Sequence, residues 1–356
     1  MHARLSYPLV ALAMLGGFVA PAAAQAPATQ APQVTVSGVA YLQYLYQLKD
    51  TANHNNNFDV TRAYINVIGR FSGGVTTRIT ADINRPAGDN SLRYRLKYAF
   101  VAYTPQGSSL TYKLGQIHTP WIDWEEALWD YRMQGQMAME RGGYLSSSDF
   151  GLGVDGNWNA DRVNMQVGIY NGESYSGGAG DKRKDLMGRV SVRVSETDDA
   201  SRVGGLRVSA YGQYGKQTTG GQRSRLLGMV SYRTKQITLA GEYAVTRDST
   251  TGPPAVAKAP GSVASVFGVY HLSNSKVALL ARVDLTDPNT NVGNNRLTRF
   301  IGGASYQLSP NLRLLADLDL LSYQGGSPTA AAEATRSQAY FQAQFTFYAD
   351  TENTHS

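Results

Sequence analysis

Residues 92–100 read LRYRLKYAF, and the two faces of this stretch decide the fold. In an extended strand successive side chains point to opposite sides, so Arg93, Arg95 and Lys97 share one face and Leu92, Tyr94, Leu96, Tyr98 and Phe100 share the other. Three cations rising about 7 Å per step along one face need water beside them. The opposite face is aliphatic and aromatic throughout and needs an apolar neighbour.

The same split recurs on either side. Arg62, Tyr64, Asn66 and Arg70 oppose Ala63, Ile65 and Val67; Arg78, Thr80 and Asp82 oppose Ile79, Ala81 and Ile83; Arg189 and Arg193 oppose Leu186, Val190 and Val192. Runs of period two, bounded by Gly, Asn, Asp, Ser and Pro clusters, predict about sixteen strands. They fall near 33–48, 58–72, 74–84, 92–104, 108–119, 147–158, 161–171, 184–196, 203–216, 222–234, 235–247, 261–272, 275–286, 295–308, 310–322 and 335–348. Tight connections follow the even strands and long ones follow the odd strands. A soluble sandwich has no reason to keep that rhythm, whereas strands passing up and down through a bilayer do. The predicted fold is an all-β, antiparallel up-and-down transmembrane β-barrel with both ends on the short-turn side and the long loops facing outward.

The two ends agree. Met1, His2 and Arg4 precede an apolar core from Leu9 to Ala20 and then Ala22–Ala24, the pattern of a secretory signal cleaved after residue 24. Residues 25–32 read as a flexible lead-in, 33–348 as the barrel and 349–356 as a polar tail. Phe341, Ala343, Phe345 and Phe347 alternate with Tyr340, Gln342, Gln344 and Thr346, which resembles the terminal strand recognised by the assembly machinery of outer membranes. The tail after Phe347 departs from that pattern. No run reaches the roughly twenty apolar residues of a spanning helix, which excludes a helical membrane protein. The chain has no cysteine, which removes disulfides, thiolate catalysis and sulfur-ligated metals. These features place the chain in the outer membrane of a Gram-negative bacterium, among lipids, and the formal charge of +6 then points away from nucleic acid.

Arginine or lysine on the lipid face at mid-bilayer costs about 2 to 4 kcal/mol, so the charged faces should line a lumen. The expected pore-lining set is Arg62, Arg70, Arg78, Arg93, Arg95, Lys97, Lys113, Arg189 and Arg193, extended by Arg207, Arg225, Arg233, Arg282, Arg299 and Arg313. Opposing them are Asp82, Asp155, Glu242, Asp284, Asp317 and Asp319. A wet pore with low-dielectric walls and a cationic excess concentrates anions; the alternative is that the charges pair across strands and only brace the wall.

The connection 120–146 is expected to fold inward as a constriction loop, because Trp121, Trp124 and Trp129 would be unfavourable in water. It carries the acids Asp123, Glu125, Glu126, Asp130 and Glu140 and the bases Arg132 and Arg141. Its acids, facing a basic wall, would set a field across the narrowest point and reduce anion preference. The alternative is a mobile external loop.

Three signals of chemistry lose to simpler readings. Gly151–Gly156 matches G-x-G-x-x-G, but a turn into another strand follows rather than a helix. Asp287-x-Asn289-x-Asn291 lacks the glycine and terminal Glu positions of a calcium loop. His118 and His271 have no nearby Ser and acid. No catalytic residue, metal or cofactor is expected. The functions left are a diffusion channel for small anionic or polar solutes, a lipase-like barrel enzyme, or a sealed barrel that anchors or adheres.

Leu114-Gly115-Gln116 through Pro120, Asp149-Phe150-Gly151 through Val167–Gly172, and Phe58–Arg70 around Arg62-Ala63-Tyr64 resemble the phosphate-selective porin family of types O and P. The resemblance implies a sixteen-stranded channel, a homotrimer, and a ladder of lumen cations, carried onto Arg62, Arg93, Arg95 and Lys97.

Overall fold

The computed structural model describes residues 32–85, 91–177, 180–216, 221–250 and 256–350. The expected signal, nearly all of the lead-in and residues 351–356 of the tail lie outside these. The strands are β1 Gln33–Gln47, β2 Asn56–Phe71, β3 Val75–Asn84, β4 Arg93–Tyr103, β5 Leu110–His118, β6 Ser148–Trp158, β7 Val163–Tyr170, β8 Asp185–Ser195, β9 Gly205–Lys216, β10 Gln222–Arg233, β11 Ile237–Thr250, β12 Val256–His271, β13 Val277–Asp287, β14 Leu297–Ser309, β15 Leu312–Tyr323 and β16 Ser337–Asp350. Each pairs antiparallel with its neighbours in sequence, and β1 pairs with β16, which closes the barrel. Closure removes every free edge, so a chain without cysteine satisfies its backbone within the wall.

All sixteen expected strands are present, and four run two or more residues past an expected end: β2 starts at Asn56, β11 ends at Thr250, and β12 and β16 are extended as well. β12 starts at Val256, ahead of the expected 261, because its hairpin with β11 continues to the pair Thr250 and Val256. β16 runs to Asp350, two residues into the stretch read as tail, since Asp350 pairs with Thr35.

Along β8 the pleat is regular: Leu186, Val190 and Val192 face out and are exposed, while Asp185, Met187, Arg189, Ser191 and Arg193 face in and are buried. β4 breaks this rule. Its register against β3 shifts so that Thr80 pairs with Tyr98 and Ala81 with Leu96, leaving Lys97 as the extra residue of a β-bulge. The phase of the strand reverses there. Tyr98 and Phe100, expected on the lipid face, therefore point inward, where both rings meet His118 (centroids 4.0 and 5.8 Å), and Val101 and Tyr103 take the outer face. Beside the bulge β4 joins β5 only from the pair Ala99 and Gln116. The freed carbonyls of Leu96 and Lys97 accept from Gln116 Nε2 at 2.8 and 3.0 Å, and Ser148 Oγ adds a bond of 2.8 Å to Lys97. Gly115 sits in this close approach at φ 126°, where a Cβ would lie 2.3 Å from the Ala99 carbonyl.

Between β5 and β6 the chain forms α1 (Ile122–Trp129) and α2 (Ala138–Arg141). A third helix, α3 (Ala330–Thr335), precedes β16.

Candidate functional site

The loop carrying α1 and α2 is bound to inward-facing groups of the wall along its whole length. Trp121 Nε1 donates to Glu242 at 3.2 Å; Tyr131 shares a 2.7 Å hydrogen bond with Ser305; Gln342 donates to the Met133 carbonyl at 2.8 Å. Arg233, Arg282 and Arg313 donate to the carbonyls of Ala127, Gln136 and Asp130, and Arg141 pairs with Asp319 at 2.8 Å. These contacts put the loop inside the cylinder. Its tryptophans explain why: all three are fully buried, with Trp121 against Tyr211 (5.8 Å) and Trp129 against Phe267 (5.4 Å). Each aromatic ring removes some 150 to 250 Å² from water, which offsets part of the entropy lost in pinning the loop.

The polar lumen then holds two kinds of cation. The first kind is ion-paired. Arg95 meets Asp82 at 3.1 Å and Arg62 approaches the same carboxylate at 3.9 Å; Lys113 pairs with Asp155. Arg193 and Arg207 share Asp161 at 3.6 and 3.0 Å, Arg225 holds Asp248 at 2.6 Å, Arg233 holds Asp199 at 2.7 Å, Arg282 holds Asp284 at 2.6 Å, and Arg299 holds Asp319. The second kind is fixed by neutral groups. Arg78 donates to Thr80 (3.0 Å), Asn66 (2.9 Å) and His118 Nε2 (3.2 Å) and lies 4.6 Å over the Tyr98 ring. An arginine can only donate, so His118 presents a bare nitrogen to it. Arg189 donates to the Pro120 carbonyl (2.8 Å) and Asn164 Oδ1 (2.6 Å) and stacks on Trp124 at 4.0 Å. Lys97 rests on Tyr64, donating to its hydroxyl at 3.2 Å with the ring centroid 4.5 Å away. Arg70 donates to Thr35. Among the described residues these four have no carboxylate in ion-pair contact, so they are held in place without being neutralised.

The expected ladder is therefore brought together on β2, β3, β4, β5 and β8 but divides by partner. Arg93, at the long-loop end of β4, pairs with Asn84 in the ladder against β3. The loop acids also differ from expectation, because all but Glu125 are already ion-paired with an arginine. Asp123 binds Arg202 at 2.7 Å, Asp130 binds Arg313 at 3.4 Å, and Glu126 and Glu140 hold Arg132 at 2.5 and 3.2 Å. Glu125 is the exception, buried with both oxygens unpartnered among the described residues. Sequence reasoning missed Tyr98 and Phe100 because a bulge leaves no mark in a period-two pattern. It also missed Arg202, Asp161 and Asp199, which reach the lumen from short turns where alternation says nothing.

Three cavities follow the axis. Toward the long loops, about 480 Å³ is lined by Arg62, Arg132, Arg141, Arg299 and Asp319. At the waist, about 270 Å³ lies between Tyr41, Tyr64 and Lys97 on the wall and Glu126 and Arg132 on the loop. Toward the short turns, about 420 Å³ is lined by Arg78, Lys113, Arg189, Arg202, Asp123 and Asp155. The Gly151–Gly156 stretch lies within β6 and leads into β7, with no helix start beside it, and Asp287 is occupied by Arg296 at 3.0 Å.

The model of the Gram-negative porin family matches residues 11–326 of the sequence. Among solved structures, the anion-selective porin from Comamonas acidovorans aligns with a TM-score of 0.64 at 13% identity, covering 89% of this chain and 100% of that one. OmpF of Salmonella typhi, in complex with daunomycin, aligns at 0.65 and 15% identity over 88% and 97% of the two chains. In-vitro folded OmpT of Vibrio cholerae, in its trimer form, aligns at 0.62 and 12% identity over 90% and 100%. At these identities the likeness is one of fold. No curated protein matches the sequence.

Proposed function

The chain belongs to the Gram-negative porin family, and from that premise we propose that it is an outer-membrane channel for passive diffusion of small hydrophilic solutes, with a preference for anions and no covalent chemistry. The observation that carries the preference is the partner pattern of the lumen cations. Arg70, Arg78, Lys97 and Arg189 are anchored by hydroxyls, carbonyls, amides and rings, so no neighbouring carboxylate cancels their charge, while Asp123, Glu126, Asp130 and Glu140 of the loop are already engaged by arginines. Fixed charge of one sign in a low-dielectric wall focuses the field on the lumen. Cation–π contacts hold a cation at little cost to its reach.

The reading also takes in a cleaved leader, a homotrimeric assembly, for which the trimer form of the Vibrio cholerae neighbour is the support, and kinship with the phosphate-selective type, which rests on the three motif stretches alone. The test is the reversal potential of the purified protein in a planar bilayer under a potassium chloride gradient. The anion-selective sign is expected; the cation-selective sign refutes the preference, and absence of conductance refutes the channel.

A further inference from the structure

The neutrally anchored cations are unevenly placed along the axis, and this carries a second conclusion that rests on the anion reading above. In the long-loop chamber every lining arginine touches a carboxylate: Arg62 approaches Asp82, Arg132 holds Glu126 and Glu140, and Arg141 and Arg299 share Asp319. In the short-turn chamber Asp123 is taken by Arg202 and Asp155 by Lys113, which leaves Arg78 and Arg189 without an ion-pair partner in the lining of the same cavity. Arg70, on β2 at the same end, adds a third such charge nearer the rim. Lys97 stands at the waist between the two chambers.

We propose that the short-turn chamber is a holding site for small divalent oxyanions, and that the channel is therefore asymmetric along its axis. Guanidinium groups bond oxyanions through paired N–H donors, and rigid anchoring means that little side-chain freedom is lost when an ion arrives. Arg78, half-buried and fixed by three bonds, is the guanidinium that offers donors to the ion, and Arg189, buried and held by two bonds and a ring stack, adds its charge from within the wall. A divalent anion interacts with this cluster about twice as strongly as chloride at the same distance. It lingers there and obstructs the chloride current. An ion arriving from the short-turn face reaches the site directly, whereas one arriving from the long-loop face crosses a charge-balanced chamber and the waist first.

The test uses single channels in planar bilayers with potassium chloride on both faces and sulfate added to one face at a time. The faces are told apart with an Asn291→Cys variant, which places one thiol on the long connection before β14 of a chain that has none, and a bulky impermeant thiol reagent. Sulfate should reduce the chloride current at a concentration lower by roughly fivefold or more from the short-turn face, fivefold being the size expected of a single nearby charge. Arg78→Gln combined with Arg189→Gln should make the two faces equal. Equal sensitivity of the wild-type faces, or greater sensitivity at the long-loop face, overturns the holding site, and this decides the matter even where the double variant fails to insert. Reversal potentials from the same channels separate the two ideas. A cation-selective wild type sinks the anion reading itself, whereas an anion-selective channel with symmetric block sinks only the holding site.

Discussion

Glu125 lies on α1 with no donor to either oxygen, facing Glu242 on β11 while Arg282 and Asp284 stand close by on β13. Burial first, and the neighbouring Glu242 second, raise this carboxyl well above its ordinary value of 4.5. A carboxyl raised in the folded state favours the bound loop fully below that ordinary value and loses the contribution as pH climbs through the raised one. Loop attachment should accordingly weaken toward alkaline pH, read as growing current fluctuation or as cleavage of the loop by added protease. Glu125→Gln keeps the shape and supplies a donor, so attachment should persist at high pH and gain about 1 to 3 kcal/mol there. Identical pH responses of the two proteins would contradict this role. The same reasoning separates Arg78 from Arg225: both are lumen guanidiniums, but one is held by Thr80, Asn66 and His118 and the other by Asp248. No feature of the sequence around either residue distinguishes them.

At the scale of elements, the loop between β5 and β6 is anchored chiefly by its tryptophans. Trp129→Ala removes the ring wedged against Phe267 and Tyr131 and should cost about 3 to 5 kcal/mol of loop attachment. The expected readout is a larger and noisier single-channel conductance with the barrel itself intact, checked by unaltered strand content in circular dichroism. Conductance indistinguishable from wild type would show that the loop is held by its hydrogen bonds alone. The strands were legible in the sequence because a two-sided wall must largely alternate polar and apolar residues, as Arg189, Ser191 and Arg193 do against Val190 and Val192. The inward loop was legible from its tryptophans. The bulge at Lys97 was not, because one inserted residue preserves alternation on each side of itself while reversing the face of everything beyond it, Tyr98 and Phe100 included. Nor were the ion pairs: Asp161, Asp199 and Asp248 meet their arginines only because closure and turn geometry bring them there.

For the whole molecule, the balance of charge along the tunnel matters more than the total of +6. Most lumen arginines are cancelled locally, and the surplus resides in a few residues on β2, β3, β4 and β8 that neutral neighbours hold still. Removing one uncompensated charge from a pore wall alters the preference for a passing ion by about 1 kcal/mol, or about fivefold in permeability ratio. The most direct measurement compares reversal potentials in a salt gradient for two sets of variants. Arg78→Gln, Lys97→Gln and Arg189→Gln together should bring the anion-to-cation permeability ratio to unity or below, whereas Arg225→Gln with Asp248→Asn, which removes a cancelled pair, should leave it at the wild-type value. A triple variant as anion-selective as wild type would contradict the account.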